Sequence, residues 1–547
     1  MNWFLFSPRF LLIVVIVFGF VLRFYNLGEN PPSLTWDEAA WGYNAYALSL
    51  YGEDEFGKSF PFDYFESFGD FKPPVYAYLT VIPVMLFGLN EFATRFPSAF
   101  FGSLTVLVTY FLVLQIFYRS EKKHLYALFS ALFLAVSPWH INLSRAAFEA
   151  NVATFFIVTG VWLFLKSVHQ NKWLLVFSGV SFVLSMYTFN TARIVAPLLV
   201  ILLGVSSFTF IKTHLKVVCI SALIGMLTLL PTLPFFLSPQ ASLRFNEVNI
   251  FSDIGIVEKA NKNIERDNSL FSRIVNNRRV FYVREYLKHY FDNLSPSFLF
   301  VNGDGNPKFS TRTVGQLYLW DAPFLIFGLL YLFRKREGKW YLIPLWILIG
   351  IAPAATARET PHALRIETVL PTFQILVAYG LVQVLALLKH VISKTYIYRS
   401  IIAVLFLALI INVLYYIHGY YVHYPRVFSG EWQYGYKDSI IYVSENSDTY
   451  DTVYITDTLG RPYIYYLYYL GIDPKKFQQT AQVKREVLGF VTVEGFDNLR
   501  FVNQLPHDEE HGNVLFIATP GDVPGNANVL RRFTLLNGVD SLVAYTL

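Results

Sequence analysis

The chain has 547 residues, of which 54% are hydrophobic, 18% aromatic and only 15% charged, with a formal charge of +5. A water-soluble globule normally carries about 25% charged residues, so this composition excludes a disordered chain and argues against a soluble one. One cysteine, Cys219, excludes an internal disulfide framework and a cysteine-based metal site.

The basic residues form small clusters between apolar runs, which marks them as topology signals rather than a nucleic-acid surface. A spanning helix needs about 20 mostly apolar residues. Runs of that kind occur at 8–25, 94–117, 125–140, 146–165, 173–190, 194–211, 216–237, 319–334, 340–356, 364–388 and 399–418. The first is followed by no small-residue cleavage site at Phe24-Tyr25-Asn26-Leu27, so an uncleaved anchor is expected. Arg9, Arg119/Lys122/Lys123, Lys166/Lys172, Lys212/Lys216, Arg334/Lys335/Arg336/Lys339 and Lys389/Lys394/Arg399 fall in alternate loops, which the positive-inside rule assigns to the cytoplasm. The expectation is a polytopic α-helical membrane protein of about 11 transmembrane helices in the plasma membrane, with a cytoplasmic N-terminus. Loops 26–93, 141–145, 190–193, 238–318 and 357–363 then face outward.

Pro73–Leu89 is also apolar, but counting it as a span would invert every later loop. It is predicted to lie on the outer interface, with Pro73 and Pro74 at its start. The loop 238–318 is long enough to need short helices of its own. The pattern changes after about residue 420. DTVYIT (451–456) and NVLFIA (513–518) read as buried strands, Arg461–Leu470 as a helix between them, and Phe533–Leu547 as a hairpin around Asn537-Gly538. The predicted domains are therefore 1–420, a transmembrane domain including loops 26–93 and 238–318, and 421–547, a small extracytoplasmic α/β domain.

Four outward-facing positions could carry chemistry. Asp37-Glu38 places two carboxylates on different faces of one element, and one could act as a general base on an attacking hydroxyl; equally, Asp37 could cap a helix. Lys72, before Pro73-Pro74, is held extended and could reach a phosphate, or could be an interfacial lysine drawn to anionic lipid. Arg145 shares a helix face with Asn142 and Glu149, and Arg193 lies at the outer end of another span. These charges could line a cavity, or reduce to an Arg145–Glu149 pair and a snorkelling Arg193. Around 357–365, Arg358 or Arg365 could hold an anionic headgroup bidentately, while a lone His362 more often caps or packs than ligates. No zinc spacing is present, and Asn302–Pro307 reads as a turn rather than a calcium loop.

Taken together, Asp37-Glu38, Lys72-Pro73-Pro74 with Val75–Leu79, Arg95-Phe96-Pro97-Ser98-Ala99, Ser137-Pro138 through Ser144-Arg145, and Leu364–Pro371 resemble the C-type-fold (GT-C) membrane glycosyltransferases. The likeness is to bacterial relatives of protein O-mannosyltransferases and of the aminoarabinose transferase that modifies lipid A (glycosyltransferase family 39 type). The resemblance implies transfer of a sugar from a polyprenyl-phosphate donor to a protein, lipid or glycan acceptor at the outer membrane face. It gives Asp37 the role of base, with Glu38 orienting it or the acceptor. Lys72 would contact the donor phosphate, with Arg145, Arg193 and Arg365 as further phosphate-binding candidates and His362, Arg358 and Asp70 in support. Family members often carry an acid or histidine just before the lysine; here Phe71 stands there and Asp70 one place further back. No cofactor is required by this scheme, and a divalent metal could substitute for one cation. A transporter or flippase would also place charges at membrane depth, but the hydropathy pseudo-repeat common in transporters is missing from the sequence.

Overall fold

A computed structural model describes residues 7–267, 269–485, 491–506 and 513–547. The chain opens with α1 (Pro8–Phe24), α2 (Trp36–Tyr51), a hairpin of β1 (Phe65–Ser67) and β2 (Asp70–Lys72), and α3 (Val75–Phe87). Then follow α4 (Glu91–Ile116), α5 (Lys123–Val136), α6 (Pro138–Arg145), α7 (Glu149–His169), α8 (Leu174–Met186) and α9 (Ala192–Ser206). Later apolar helices cover Leu215–Leu229, Asp321–Lys335, Leu342–Ile351, Thr372–Val391 and Thr395–His418.

Every apolar run read from the sequence thus contains a helix, but lengths differ from expectation. Among the described residues five helices are long and apolar enough to cross a membrane: Glu91–Ile116, Glu149–His169, Leu215–Phe236, Thr372–Val391 and Thr395–Trp432. A sixth is made if α5 and α6 count as one span bent by 54°. By length and composition alone, five or six helices therefore qualify as spans among the described residues. The 13 residues of α8 and 15 of α9 reach only about 20 Å at 1.5 Å per residue, against a hydrocarbon core of about 30 Å.

Prolines explain two departures. Pro138 lacks an N–H and holds Ser137 extended (ψ 125°), so the predicted run 125–140 breaks there. The predicted run 364–388 becomes α-helical only after Pro371, because the residue before a proline is pushed away from helical geometry; Leu370 has ψ 142°. The segment 73–89 forms the 13-residue α3, too short to span, with Ile82, Met85, Leu86 and Phe87 exposed. The loop 238–318 carries helices Gln240–Val248, Ile254–Arg266, Leu270–Val275 and Arg278–Asp292.

The chain forms two compact units. One comprises Met1–Leu22, Phe101–Leu143 and Ala150–Tyr416; the other comprises Arg23–Phe100, Ser144–Glu149 and Ile417–Leu547. The first is helical. Its helices Asp321–Lys335 and Thr372–Val391 approach so closely that a Cβ on Gly328 would lie 2.1 Å from the Leu376 carbonyl oxygen, and one on Gly380 1.9 Å from that of Phe324. Small residues at such crossings are how apolar helices pack where lipid offers no hydrophobic driving force.

The second unit holds a seven-stranded mixed sheet in the order β4-β5-β6-β3-β7-β9-β8. Its strands are β3 (Thr452–Thr456), β4 (Gln482–Arg485), β5 (Val491–Phe496), β6 (Leu499–Val502), β7 (Val514–Ala518), β8 (Asn528–Thr534) and β9 (Asp540–Thr546). Central β3 runs parallel to both β6 and β7, and the remaining pairs are antiparallel. The predicted strands, the helix at Pro462–Leu470 and the terminal hairpin are present; β4 to β6 were not read from the sequence.

The boundary near 420 does not isolate a separate C-terminal domain, since 417–547 is compact together with the loop 23–100. The aromatic helix Pro462–Leu470 shares one buried core with Leu34, Ala39, Ala40 and Tyr43 of the α2 region. Gly42 permits this contact, because a Cβ there would sit 2.4 Å from the Tyr468 ring. Ion pairs Lys437–Glu91 (2.8 Å), Lys475–Glu53 and Arg485–Glu66 (2.6 Å) add surface ties.

Candidate active site

The site is built in the second unit from α2, the β1–β2 hairpin, the first turns of α4 and the turn after α6. The sequence Thr35-Trp36-Asp37-Glu38 starts α2 with a capping box. Thr35 Oγ1 accepts from the Glu38 amide (3.3 Å), and Glu38 Oε2 accepts from the Thr35 amide (2.9 Å). The cap is thus Thr35, not Asp37, and both carboxylates fall in the first turn, where the helix dipole favours negative charge.

The two then diverge. Glu38 is fully buried, and its Oε1 accepts from Arg95 Nε (2.9 Å) and from the Ala147 amide (2.9 Å). Arg95, equally buried, also donates to the carbonyls of Leu27 (3.2 Å), Pro31 (2.8 Å) and Ser33. Glu38 therefore ties α2, α4 and the 144–149 segment together. The Asp37 side chain is 50% exposed, and its Oδ1 accepts a hydrogen bond from the Lys72 ammonium.

Lys72 arrives on a tight hairpin whose two turn residues, Phe68 (φ 61°) and Gly69 (φ 78°), are both left-handed, as a two-residue turn of the twist-matching kind requires. Its side chain is 9% exposed, and its ammonium lies 5.2 Å from the Trp41 ring centroid and 5.3 Å from that of Phe68. Trp41 is four residues after Asp37 and so shares its helix face. The ammonium thus sits between the Asp37 carboxylate and two aromatic rings in a largely desolvated place. Asp70, on the same hairpin, accepts from the Phe71 amide (2.9 Å).

Glu55, which the sequence did not single out, lies behind the hairpin. It is buried, with Oε1 near Ser67 Oγ (3.3 Å) and Asn44 Nδ2 (3.5 Å), while Oε2 has no hydrogen-bond partner among the described residues. Burial, with the Asp54 charge adding to it, pushes its pKa up to about 8. Neighbouring Asp54 is pushed to about 6, again by burial first. The folded protein holds the Glu55 proton up to about pH 8, whereas the unfolded chain releases it near 4.5. The folded state thus binds more protons between those values, so this group's stabilisation is complete below 4.5 and is lost as pH rises through about 8. Glu55→Gln is expected to flatten that slope in denaturation measured across pH 5–8; an unchanged slope would contradict it.

Arg145 is buried at the end of α6, and its guanidinium is already engaged. Nε donates to the Tyr420 hydroxyl (3.2 Å), Nη1 to the Arg23 carbonyl (3.1 Å), and Nη2 to those of Asn26 (3.3 Å) and Asn30 (2.8 Å). Rings of Tyr420 and Tyr421 lie 5.4 and 5.1 Å away. Through these bonds Arg145 staples the 23–30 turn.

The remaining candidates belong to the other unit. Arg193 donates to the Met186 carbonyl (3.4 Å) and lies 4.9 Å from the Phe236 ring centroid. Arg358 is bonded to the Asn249 carbonyl (3.0 Å) and to Ser252 Oγ (3.3 Å), and Arg365 to the Glu359 carbonyl (3.0 Å). His362 packs on Phe309 with ring centroids 4.8 Å apart, and burial, with the Arg365 charge adding to it, holds its pKa well below the usual range. Asp304 accepts from the Ala363 amide (2.6 Å) and is pushed up to about 6 by burial. Among the described residues no group of three His, Cys, Asp or Glu side chains converges to hold a metal ion.

Residues 71–235 match the dolichyl-phosphate-mannose-protein mannosyltransferase family, a segment that includes Lys72 and Arg145. ArnT from Cupriavidus metallidurans bound to undecaprenyl phosphate superposes with a TM-score of 0.56 at 14% identity, covering 97% of each chain. Its apo form gives 0.54 at 15% identity with the same coverage. The chain has the C-type glycosyltransferase fold. Dolichyl-phosphooligosaccharide-protein glycotransferase 1 of Archaeoglobus fulgidus is 28% identical over 277 residues, 48% of this chain and 43% of that one. The chain spans less than half the length of the curated relatives it matches. In this C-type fold the Asp37–Lys72 pair offers a half-exposed carboxylate and a fixed cation side by side, which is what deprotonation of an acceptor and stabilisation of a leaving phosphate call for.

Proposed function

We propose that the chain transfers a sugar from a polyprenyl-phosphate donor to a hydroxyl- or amine-bearing acceptor on the outer face of the membrane, with inversion at the anomeric carbon. The observation that carries this reading is the ion pair of Asp37 with Lys72, within a fold shared with an enzyme whose structure was determined with undecaprenyl phosphate. In the unliganded site each is the other's counter-charge. A donor phosphate approaching Lys72 competes with Asp37 for the ammonium and so loosens the carboxylate's hold on it. Asp37 then accepts the acceptor proton as the acceptor oxygen or nitrogen attacks C1, and the C1–O bond to the phosphate breaks with its electron pair staying on the phosphate. Negative charge growing on that leaving group meets a cation already in place, the kind of preorganised stabilisation that is often the largest catalytic term.

Under this reading Glu38 positions α2 and so Asp37, rather than touching substrate. A monophosphate leaving group with Lys72 beside it requires no metal cofactor, although a divalent ion could stand in for a cation. Eleven spans, a cytoplasmic N-terminus and an extracytoplasmic second unit complete the proposal, supported by the alternation of basic loops. The test is the purified protein in lipid nanodiscs with polyprenyl-phosphate hexoses and hydroxyl acceptors. Free polyprenyl phosphate and a glycoside of inverted configuration are expected; a retained configuration would contradict the single displacement.

A further inference from the structure

The second unit contains a cleft of about 350 Å³ that the reaction above does not use, lined by Phe68, Asp457, Arg461, Tyr463, Thr492 and Phe501 among others. Its size lies at the lower end of small-molecule sites. It sits where β3 ends and the helix Pro462–Leu470 begins. The chain leaving β3 returns first on one side as β6 and then on the other as β7, both parallel to it. Crevices at the carboxyl ends of parallel strands, at such a reversal of strand order, are where α/β sheets bind ligands.

The chemistry of the lining narrows the ligand. Asp457 carries a carboxylate to which the Asn503 amide, turned with its nitrogen inward, donates at 2.6 and 3.1 Å. An ionised carboxylate has about four acceptor positions, so capacity for hydroxyl donors is left over. Arg461 stacks its guanidinium 4.3 Å from the Phe68 ring centroid and donates to the Phe68 carbonyl (3.2 Å). The Tyr463 hydroxyl, on a side chain 4% exposed, has no hydrogen-bond partner among the described residues. One carboxylate and one guanidinium leave no net charge to select an ion. A hydroxyl acceptor, donors and aromatic rings in one small space instead suit a neutral ring bearing many hydroxyls, with its C–H face against the aromatic side chains.

We infer that this cleft binds a hexopyranose unit of the acceptor, an inference that rests on the function proposed above and names its acceptor class as a glycan. The cleft shares a wall with the reaction site. Phe68 lines it and is also the first turn residue of the hairpin that ends in Lys72, so a sugar seated against Phe68 is placed beside the strand carrying the donor-side cation.

The experiment is saturation-transfer NMR of methyl α-hexopyranosides (gluco, manno and galacto) with the full-length protein in nanodiscs. Wild type is compared with Asp457→Asn, with Thr492→Trp, which adds bulk at an exposed strand residue of the lining, and with Asp37→Asn. At least one pyranoside is expected to give signal with wild type and Asp37→Asn, to bind about tenfold more weakly to Asp457→Asn as befits a lost charge-assisted hydrogen bond, and to give none with Thr492→Trp. Absence of signal with wild type, or equal signal in all four proteins, overturns the site. Transfer from a polyprenyl-phosphate hexose to the same pyranosides is measured in parallel. Binding without any transfer by wild type would overturn the proposed function and the acceptor role while leaving a sugar site. Transfer at the wild-type rate by Thr492→Trp would overturn the acceptor role alone.

Discussion

Asp37→Asn is expected to lower sugar transfer by about 10²- to 10⁴-fold, the range ordinarily lost with a general base, while leaving the protein folded. Asparagine keeps an oxygen that can accept from Lys72 but cannot take a proton at neutral pH. The protein should still fold, because the Asp37 side chain is 50% exposed and asparagine can still accept from Lys72; some stability is lost, since the largely buried ammonium gives up its counter-charge. Turnover of the nanodisc-embedded protein together with its thermal midpoint checks both halves. A loss below about tenfold would remove Asp37 from the role of base.

The neighbouring carboxylate should behave in the opposite way. Glu38→Ala leaves the buried Arg95 guanidinium without its counter-charge, which costs about 3–5 kcal/mol, and it removes one half of a capping box, for which a further 1 kcal/mol or so is typical. The variant should therefore unfold at markedly lower denaturant or temperature. Combining it with Arg95→Leu should recover part of the loss, because the unpaired charge goes too. If Glu38→Ala instead unfolds like wild type yet fails to transfer sugar, Glu38 acts on substrate and not through the fold. Two adjacent acids thus separate into one that matters to turnover and one that matters to stability.

The contrast shows what the sequence makes legible. Adjacent carboxylates must point to different faces, so that only one of them need face a reaction centre; that much was legible. The assignment of Glu38 to the inside was also available from Thr35-x-x-Glu38, a capping-box spacing, and from Arg95, a charge inside an apolar run that needs a buried partner. Lys72 was legible because the Pro-Pro pair fixes the chain after it. Its partner was not, since Asp37 lies 35 positions earlier and no periodicity would bring the two together. Arg145 was read correctly as an unusual charge, but whether carbonyls or a phosphate satisfy it depends on the 23–30 turn, which only the folded chain supplies. Glu55 carries no motif or spacing that marks it; Ser67 and Asn44, which bond its buried carboxyl, come to it only in the folded chain. Hydropathy located the helices well and their lengths poorly, because prolines at 138 and 371 break runs that composition alone would continue.

The most direct test of the central claim is binding of undecaprenyl phosphate to the purified protein, followed by native mass spectrometry or by displacement of a labelled analogue. If Lys72 holds the donor phosphate, Lys72→Ala should weaken binding by about 10- to 100-fold, as expected for a lost charge-assisted contact, while Asp37→Asn binds at least as well as wild type because the ammonium no longer has a competing carboxylate. Equal affinity in wild type and Lys72→Ala would place the lipid phosphate elsewhere and contradict the account.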